Sequence, residues 1–326
     1  MTGQPRFDVT VPPGGYAWWY VDALSDDGTT GLTIIGFIGS VFSPYYARAR
    51  RRAAPLGVDP LEFCALNVAL YRGRGKRWAL TERSRASVLQ SATTLAIGPS
   101  ALSWDGTALR IEIDEVTVPF PARLQGTVTV HPESLAGRIV TLDREGLHRW
   151  QAIAPAARVE ARFTHPQSSW SGTGYLDTNS GALALEDSFT GWTWSRAPVK
   201  DGTVVLYDVA RRTGEAYTIA LRYDRHGASD EFDAPPRSPL PRPGWGVARE
   251  TRSESGHPAR LLRTLEDTPF YARSVVRAQL LGEPVTAMHE SLSLERFSAP
   301  WVQVLLPFRM PRVTRARRPA ADSPAA

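Results

Sequence analysis

The sequence predicts an all-β protein made of two successive blocks of short antiparallel strands. Three observations carry this. The 326 residues include 26 glycines and 26 prolines, so breakers leave little room for long helices. Short apolar runs alternate with turn signals along most of the chain. The same texture then repeats in the second half, which points to two β-barrels or sandwiches in tandem with few short helices.

Residues 1–13 read as an extended lead-in. Gly14 to Asp22 and Leu32 to Phe42 flank Ser25-Asp26-Asp27-Gly28, a hairpin signal. Ser43-Pro44 ends the second strand, and Tyr45 to Ala54 is the one early stretch with helical character. Leu61 to Tyr71 and Lys76 to Arg85 surround Arg72-Gly73-Arg74-Gly75, a second hairpin. Thr107 to Ile113 alternates, with Leu109, Ile111 and Ile113 on one face. Further short runs follow at 126–130, 137–142 and 158–163. In the second half, Thr203 to Val209, Ala216 to Tyr223, Arg273 to Leu281 and Trp301 to Phe308 read as strands. Met288 to Phe297 fits helix or strand. Five prolines between 234 and 246 mark a surface loop.

Composition removes several classes. No run approaches the roughly 20 apolar residues of a spanning helix, and the first residues show no basic region followed by an apolar run, so no signal peptide is expected. One cysteine, Cys64, excludes an internal disulfide framework and reads as a small buried residue. The net charge of +5 rests on arginine, with Lys76 and Lys200 the two lysines. Arginines cluster at 48–52 and 312–318, without the aromatic interleaving of a single-strand binder, so no nucleic acid is expected. The six histidines lack metal-ligand spacing. Ten tryptophans suggest aromatic walls as well as core filling.

The stretch from His148 to Arg196 holds the candidate chemistry. His148 with Trp150, and Tyr175 with Asp177, are i, i+2 pairs, which share a face on a strand. If both strands line one barrel interior, an acid, an imidazole and two rings converge in one cavity. Asp177-Thr178-Asn179-Ser180-Gly181 reads equally as a turn. Trp192 and Trp194 read as a core wall. Glu186 and Asp187 would face opposite sides of a strand, a poor pair for glycoside chemistry.

The segments Gly15-Tyr-Ala-Trp-Trp-Tyr-Val-Asp-Ala-Leu-Ser-Asp-Asp-Gly28 and Ile35 to Tyr46, with Gly172-Thr-Gly-Tyr-Leu-Asp-Thr-Asn-Ser-Gly181, Trp192-Thr-Trp194 and Pro307-Phe-Arg-Met-Pro-Arg312, resemble the carotenoid 1,2-hydratases of phototrophic bacteria. The resemblance spans roughly residues 14–312. It implies two tandem lipocalin-like antiparallel β-barrel domains, drawn here at 14–188, carrying the site, and 189–312, with 313–326 as a disordered tail. It also implies addition of water, without cofactor or metal, across the terminal 1,2 double bond of acyclic carotenoids such as neurosporene and lycopene. The matching site residues are Asp177, His148, Tyr175 and Trp150. Asp177 would protonate the alkene, Trp150 and Tyr175 would stabilise a tertiary carbocation, and His148 would orient Asp177 or take the proton of the attacking water. A carotenoid substrate further implies peripheral contact with membrane lipid, on the cytoplasmic side of the inner or photosynthetic membrane, with Tyr45 to Ala54 as a candidate surface. A non-catalytic carrier of a hydrophobic ligand is the competing expectation.

Overall fold

The computed structural model describes residues 3–73 and 75–314. It is mostly β, with 55% strand and 11% helix. Among the described residues two compact units divide the chain: 3–73, 75–140, His148–Ala184 and 305–314 form one, and Thr141–Leu147 with Leu185–Val304 form the other.

The first unit opens with a hairpin of β1 (Tyr16–Ser25) and β2 (Thr30–Ile38). Its turn is the expected one. Gly28 adopts φ +67°, its N–H reaches the Ser25 carbonyl at 2.8 Å, and the Asp27 carboxylate accepts from the Thr29 amide. Ser43 then caps α1 (Pro44–Ala53), its hydroxyl accepting from the Tyr45 and Tyr46 amides, and Pro44 stands in the first turn. The strands β3 (Cys64–Arg72), β4 (Gly75–Arg83), β5 (Val88–Gln90), β6 (Thr94–Ile97), β7 (Ser100–Trp104), β8 (Leu109–Val116) and β9 (Arg123–Pro132) follow. After the two-residue β10 (Val140–Thr141) come two long strands, β11 (His148–His165) and β12 (Gln167–Gly181).

Together with β22 (Arg312–Val313), these strands make one sheet in the order β22-β4-β3-β2-β1-β12-β11-β9-β8-β7-β6-β5. Among the described residues that path is open, and the sheet curls as a half-barrel. The curl brings the end of β8 to β4, where Val118 donates to the Trp78 carbonyl at 3.0 Å and Arg83 meets Glu115 at 2.8 Å. One face of the sheet carries the unit's core, with Trp19, Val21, Ile34, Val68, Val128 and Leu176 all buried. Cys64 is buried in this cluster, and burial pushes its thiol above the usual range.

The second unit has its own sheet. The strands β13 (Phe189–Val199), β14 (Gly202–Arg211), β15 (Tyr217–Tyr223), β16 (Ser229–Glu231), β19 (Arg260–Asp267), β20 (Tyr271–Leu280) and β21 (Glu283–Ser293) run in the order β16-β15-β14-β13-β21-β20-β19. The hairpin of β17 (Arg237–Leu240) and β18 (Arg249–Arg252) is separate, and Val204, Leu206, Val276 and Ala287 anchor the core.

Four local expectations change. Trp301 to Phe308 is not a strand but α4 (Pro300–Leu305) followed by a tight turn at Leu306–Phe308. Its buried residues Val302 and Leu306 are four apart, with Trp301, Val304 and Phe308 exposed, which is helical periodicity. Asp177 to Gly181 is strand rather than turn, because β12 is paired on both sides and ladder bonds outweigh local Asp and Asn turn chemistry. Glu186 and Asp187 lie in the short helix α2 (Leu185–Ser188). Only Val140–Thr141 of the run 137–142 is extended. Met288 to Phe297 is both: β21 runs to Ser293, which caps α3 (Leu294–Ser298). The residues from 315 on, including most of the expected tail, lie outside the described residues.

Candidate active site

Three adjacent strands, β1, β12 and β11, assemble the site. Register alone sets which side chains share a face. Tyr16, Trp18, Tyr20 and Asp22 of β1 stand opposite Gly181, Asn179, Asp177 and Tyr175 of β12. On the other side of β12, His148, Trp150 and Ala152 stand opposite Gly181, Asn179 and Asp177. Directly paired residues project to the same side of a sheet. All four residues expected from the sequence therefore lie on one face. That face is the one opposite the core residues Trp19, Val21 and Leu176, not the one lining the half-barrel interior.

The centre of this face is Asp177, 4% exposed. Trp150 Nε1 donates to its Oδ2 at 2.9 Å, and the Tyr175 hydroxyl donates to the same oxygen at 3.0 Å. Ala152 is the direct cross-strand partner of Asp177. Trp150 lies one same-face position along from this small residue. Both donors engage one oxygen. Two bulges in β11, at Ala152/Ala154 and Ala154/Ala157, follow directly after this point and re-aim the strand.

His148 is fully buried and enters the same face through a different residue. Its Nδ1 and the Tyr16 hydroxyl share a hydrogen bond of 2.9 Å, and Tyr16 stacks on Trp18 with ring centroids 4.9 Å apart. Trp18 in turn meets Phe37 at 6.1 Å. The fit around the imidazole requires Gly181: a Cβ there would lie 2.5 Å from Tyr16 Cε1 and 2.6 Å from His148 Nδ1. Tyr46 ties the start of β1 to α1 by donating to the Gly15 carbonyl at 2.6 Å, and burial pushes that hydroxyl's pKa up, which keeps it a donor.

The family description "Carotenoid hydratase CrtC" matches residues 34–319. The chain is 56% identical to the acyclic carotenoid 1,2-hydratase of Thiocapsa roseopersicina over 310 residues, which is 95% of this chain and 76% of that one.

The chain belongs to the carotenoid hydratase family.

A second relative, the acyclic carotenoid 1,2-hydratase of Rubrivivax gelatinosus, is 51% identical over 311 residues, again 95% of this chain and 76% of that one. A third, from Cereibacter sphaeroides, is 38% identical and covers 86% of this chain and 98% of its own. The family's fold also has solved neighbours. A putative AttH from Nitrosomonas europaea aligns with TM-score 0.57 at 16% identity, over 85% of this chain and 92% of its own. CghA with Sch210972 aligns with TM-score 0.54 at 13% identity, over 90% and 95%.

The same face carries further residues that the His-x-Trp and Tyr-x-Asp spacing left out. Tyr16, Trp18, Tyr20 and Asp22 alternate along β1, and Asn179 sits two residues past Asp177 at 4% exposure. The signal for the first four was their own period of two. What hid them is that β1 and β12 are about 150 residues apart in the chain. Trp192 and Trp194 belong instead to β13 of the second unit. Among the described residues, no three His, Cys, Asp or Glu side chains cluster as a metal site would require.

Proposed function

We propose that this chain adds water across the terminal 1,2 double bond of acyclic carotenoids, with Asp177 as the acid. The observation that carries the reading is the buried Asp177 carboxyl held at Oδ2 by two neutral donors, Trp150 and Tyr175. An isolated alkene is a very weak base, so it needs a carboxylic acid aimed at its less substituted carbon, out of water. Proton transfer from Asp177 to that carbon leaves a tertiary cation. The indole of Trp150 and the phenol of Tyr175 present π-systems beside it. Water attacks the cation and yields the tertiary alcohol. His148 has its observed bond to Tyr16, so its part is to hold the Tyr16–Trp18 ring row in place. The relatives' names support the reaction and substrate class.

The substrate is a lipid, and no helix among the described residues is long and apolar enough to cross a membrane. The same reading therefore has the chain take carotenoid from a membrane surface, on its cytoplasmic side. Arg48, Arg51 and Arg52 of α1 are exposed, and so is Leu56 just after the helix. Basic and apolar side chains together suit an anionic lipid surface. On this reading the curled sheet of the first unit and the sheet of the second correspond to the family's lipocalin-like barrels.

The decisive experiment incubates lycopene with the protein in ¹⁸O-water. Wild-type protein yields an alcohol carrying the label, and folded Asp177→Asn yields at least about 100-fold less while still binding the carotenoid. Hydration retained in Asp177→Asn rejects the acid assignment, and no hydration by wild type favours a carrier. Flotation with anionic liposomes checks the docking surface: triple charge reversal at Arg48, Arg51 and Arg52 should abolish it, and unchanged flotation removes that surface.

A further inference from the structure

Asp22 is the second carboxyl of the site. Tyr20-Val21-Asp22 on β1 and Tyr175-Leu176-Asp177 on β12 are the same Tyr-x-Asp element, placed side by side on antiparallel strands. Tyr20 stands opposite Asp177, and Asp22 stands opposite Tyr175. Each tyrosine donates to the aspartate two residues along its own strand: Tyr175 to Asp177 at 3.0 Å, and Tyr20 to Asp22 at 3.2 Å. The two tyrosine rings meet edge to face at 6.3 Å, closing the quartet. Asp22 is fully buried. The pair thus has a local two-fold symmetry, and the two carboxyl groups are diagonal neighbours on one face.

We propose that Asp22 is the base that receives the proton of the attacking water, a role that rests on the hydration reading above. Diagonal cross-strand neighbours lie roughly 7–8 Å apart. That is a backbone spacing, and it sets two carboxyl groups on one face near a single reacting end, the pairing used where one carboxyl acts as acid and the other as base on a water. In the proposed reactive form Asp177 carries the proton and Asp22 does not, which gives one acid and one base. Asp177 gives its proton to C2, which breaks the C1–C2 π bond and leaves the cation at C1. A water lone pair forms the C1–O bond, and a proton leaves that oxygen for the Asp22 carboxylate. Transfer of one proton from Asp22 back to Asp177 restores the starting state, so alkene and water are consumed and only alcohol is made. In the ladder Asp22 is one diagonal step from Asp177, whereas His148 stands opposite Gly181, two same-face positions beyond it. Asp22 is therefore the better-placed acceptor.

Deuterium exchange separates the two carboxyl groups. With lycopene in D₂O, wild-type protein forms deuterated alcohol. Asp22→Asn still gives a deuteron to C2 but captures water poorly, so the cation re-forms the C1–C2 double bond by losing a C2 hydron, and each time this is the original protium the recovered lycopene keeps a deuterium at C2, with hydration down at least about 100-fold. Asp177→Asn shows neither exchange nor hydration. Hydration within threefold of wild type in Asp22→Asn overturns the proposal. So does loss of exchange together with hydration in an Asp22→Asn protein whose far-UV dichroism and melting are unchanged, since Asp22 then acts before water capture. If wild type itself neither exchanges nor hydrates, the hydration reading fails, and the proposal with it. If Asp22→Asn does not fold, Tyr20→Phe is read in its place, with the same ratio of exchange to hydration raised above wild type as the supporting result and an unchanged ratio as the overturning one.

Discussion

Trp150 and Asp177 are 27 residues apart and belong to neighbouring strands, yet the indole N–H of one reaches Oδ2 of the other at 2.9 Å. They are not direct ladder partners: Trp150 stands opposite Asn179, and Asp177 opposite Ala152. The residue directly across from Asp177 is the small Ala152. On the proposed reading, Trp150 is both a π-surface and a clamp on the acid.

Trp150→Phe separates those two parts. Phenylalanine keeps a ring but removes the donor, leaving Tyr175 on Oδ2. One buried hydrogen bond contributes about 0.5–1.5 kcal/mol, so kcat should fall up to about tenfold with KM nearly unchanged. The double variant Trp150→Phe, Tyr175→Phe should lose more than the product of the two single losses, since both donors serve one oxygen. Steady-state hydration kinetics on the four proteins check this.

Gly181→Ala should damage the histidine end of the row. The new methyl would sit 2.5 Å from Tyr16 and 2.6 Å from His148, both fully packed. Overpacking of this kind costs about 1–3 kcal/mol. A lowered melting temperature together with reduced hydration is the expected result, and an unchanged melt would show that the rings move aside freely.

Arg83 and Glu115 test how the curl of the first sheet is held. Arg83 Nη2 reaches Glu115 Oε2 at 2.8 Å, and Ser100 donates to the other carboxylate oxygen at 2.9 Å. Burial drives the Glu115 pKa up while Arg83 opposes the rise. Removing Arg83 alone strands a buried carboxylate, so Arg83→Met should cost about 3–5 kcal/mol. Adding Glu115→Gln should recover much of that loss. Urea unfolding of the single and double variants measures both.

His289 should make the protein acid-sensitive. Burial, with the Arg249 charge nearby, lowers its pKa from the ordinary 6.5 to about 3. The folded chain thus keeps a neutral imidazole while the unfolded chain protonates near pH 6.5. Between those values the unfolded state binds the extra proton, so this contribution to stability is complete above about pH 6.5 and is lost as pH falls toward 3. Its slope is at most about 1.4 kcal/mol per pH unit. Urea unfolding at pH 7, 6 and 5 should show a shallower acid-side decline for His289→Gln than for wild type, and equal declines would refute the account.

Much of the site could be read before the fold was seen. His148-x-Trp150 and Tyr175-x-Asp177 are spaced by two, and a strand's period of two places such pairs on one face without further information. Helix α1 likewise follows from local chemistry, with a serine cap and a proline in the first turn. The all-β class follows from the breaker content. Local reasoning failed where the deciding contact was distant. Asp177 to Gly181 has turn chemistry, and only pairing with β1 and β11 makes it strand. Trp301 to Phe308 is apolar enough for a strand, and the burial of Val302 and Leu306 makes it helical.

By itself, the chain's order of residues determined which side chains travel together along each strand, because backbone geometry alternates faces at every step. Tertiary structure decided which strands became neighbours. Only the antiparallel register of β1 against β12 sets Tyr20 across from Asp177 and Asp22 across from Tyr175. A pairing across roughly 150 residues is chosen by burial of the opposite, apolar face, a sum over the whole sheet that no local window contains.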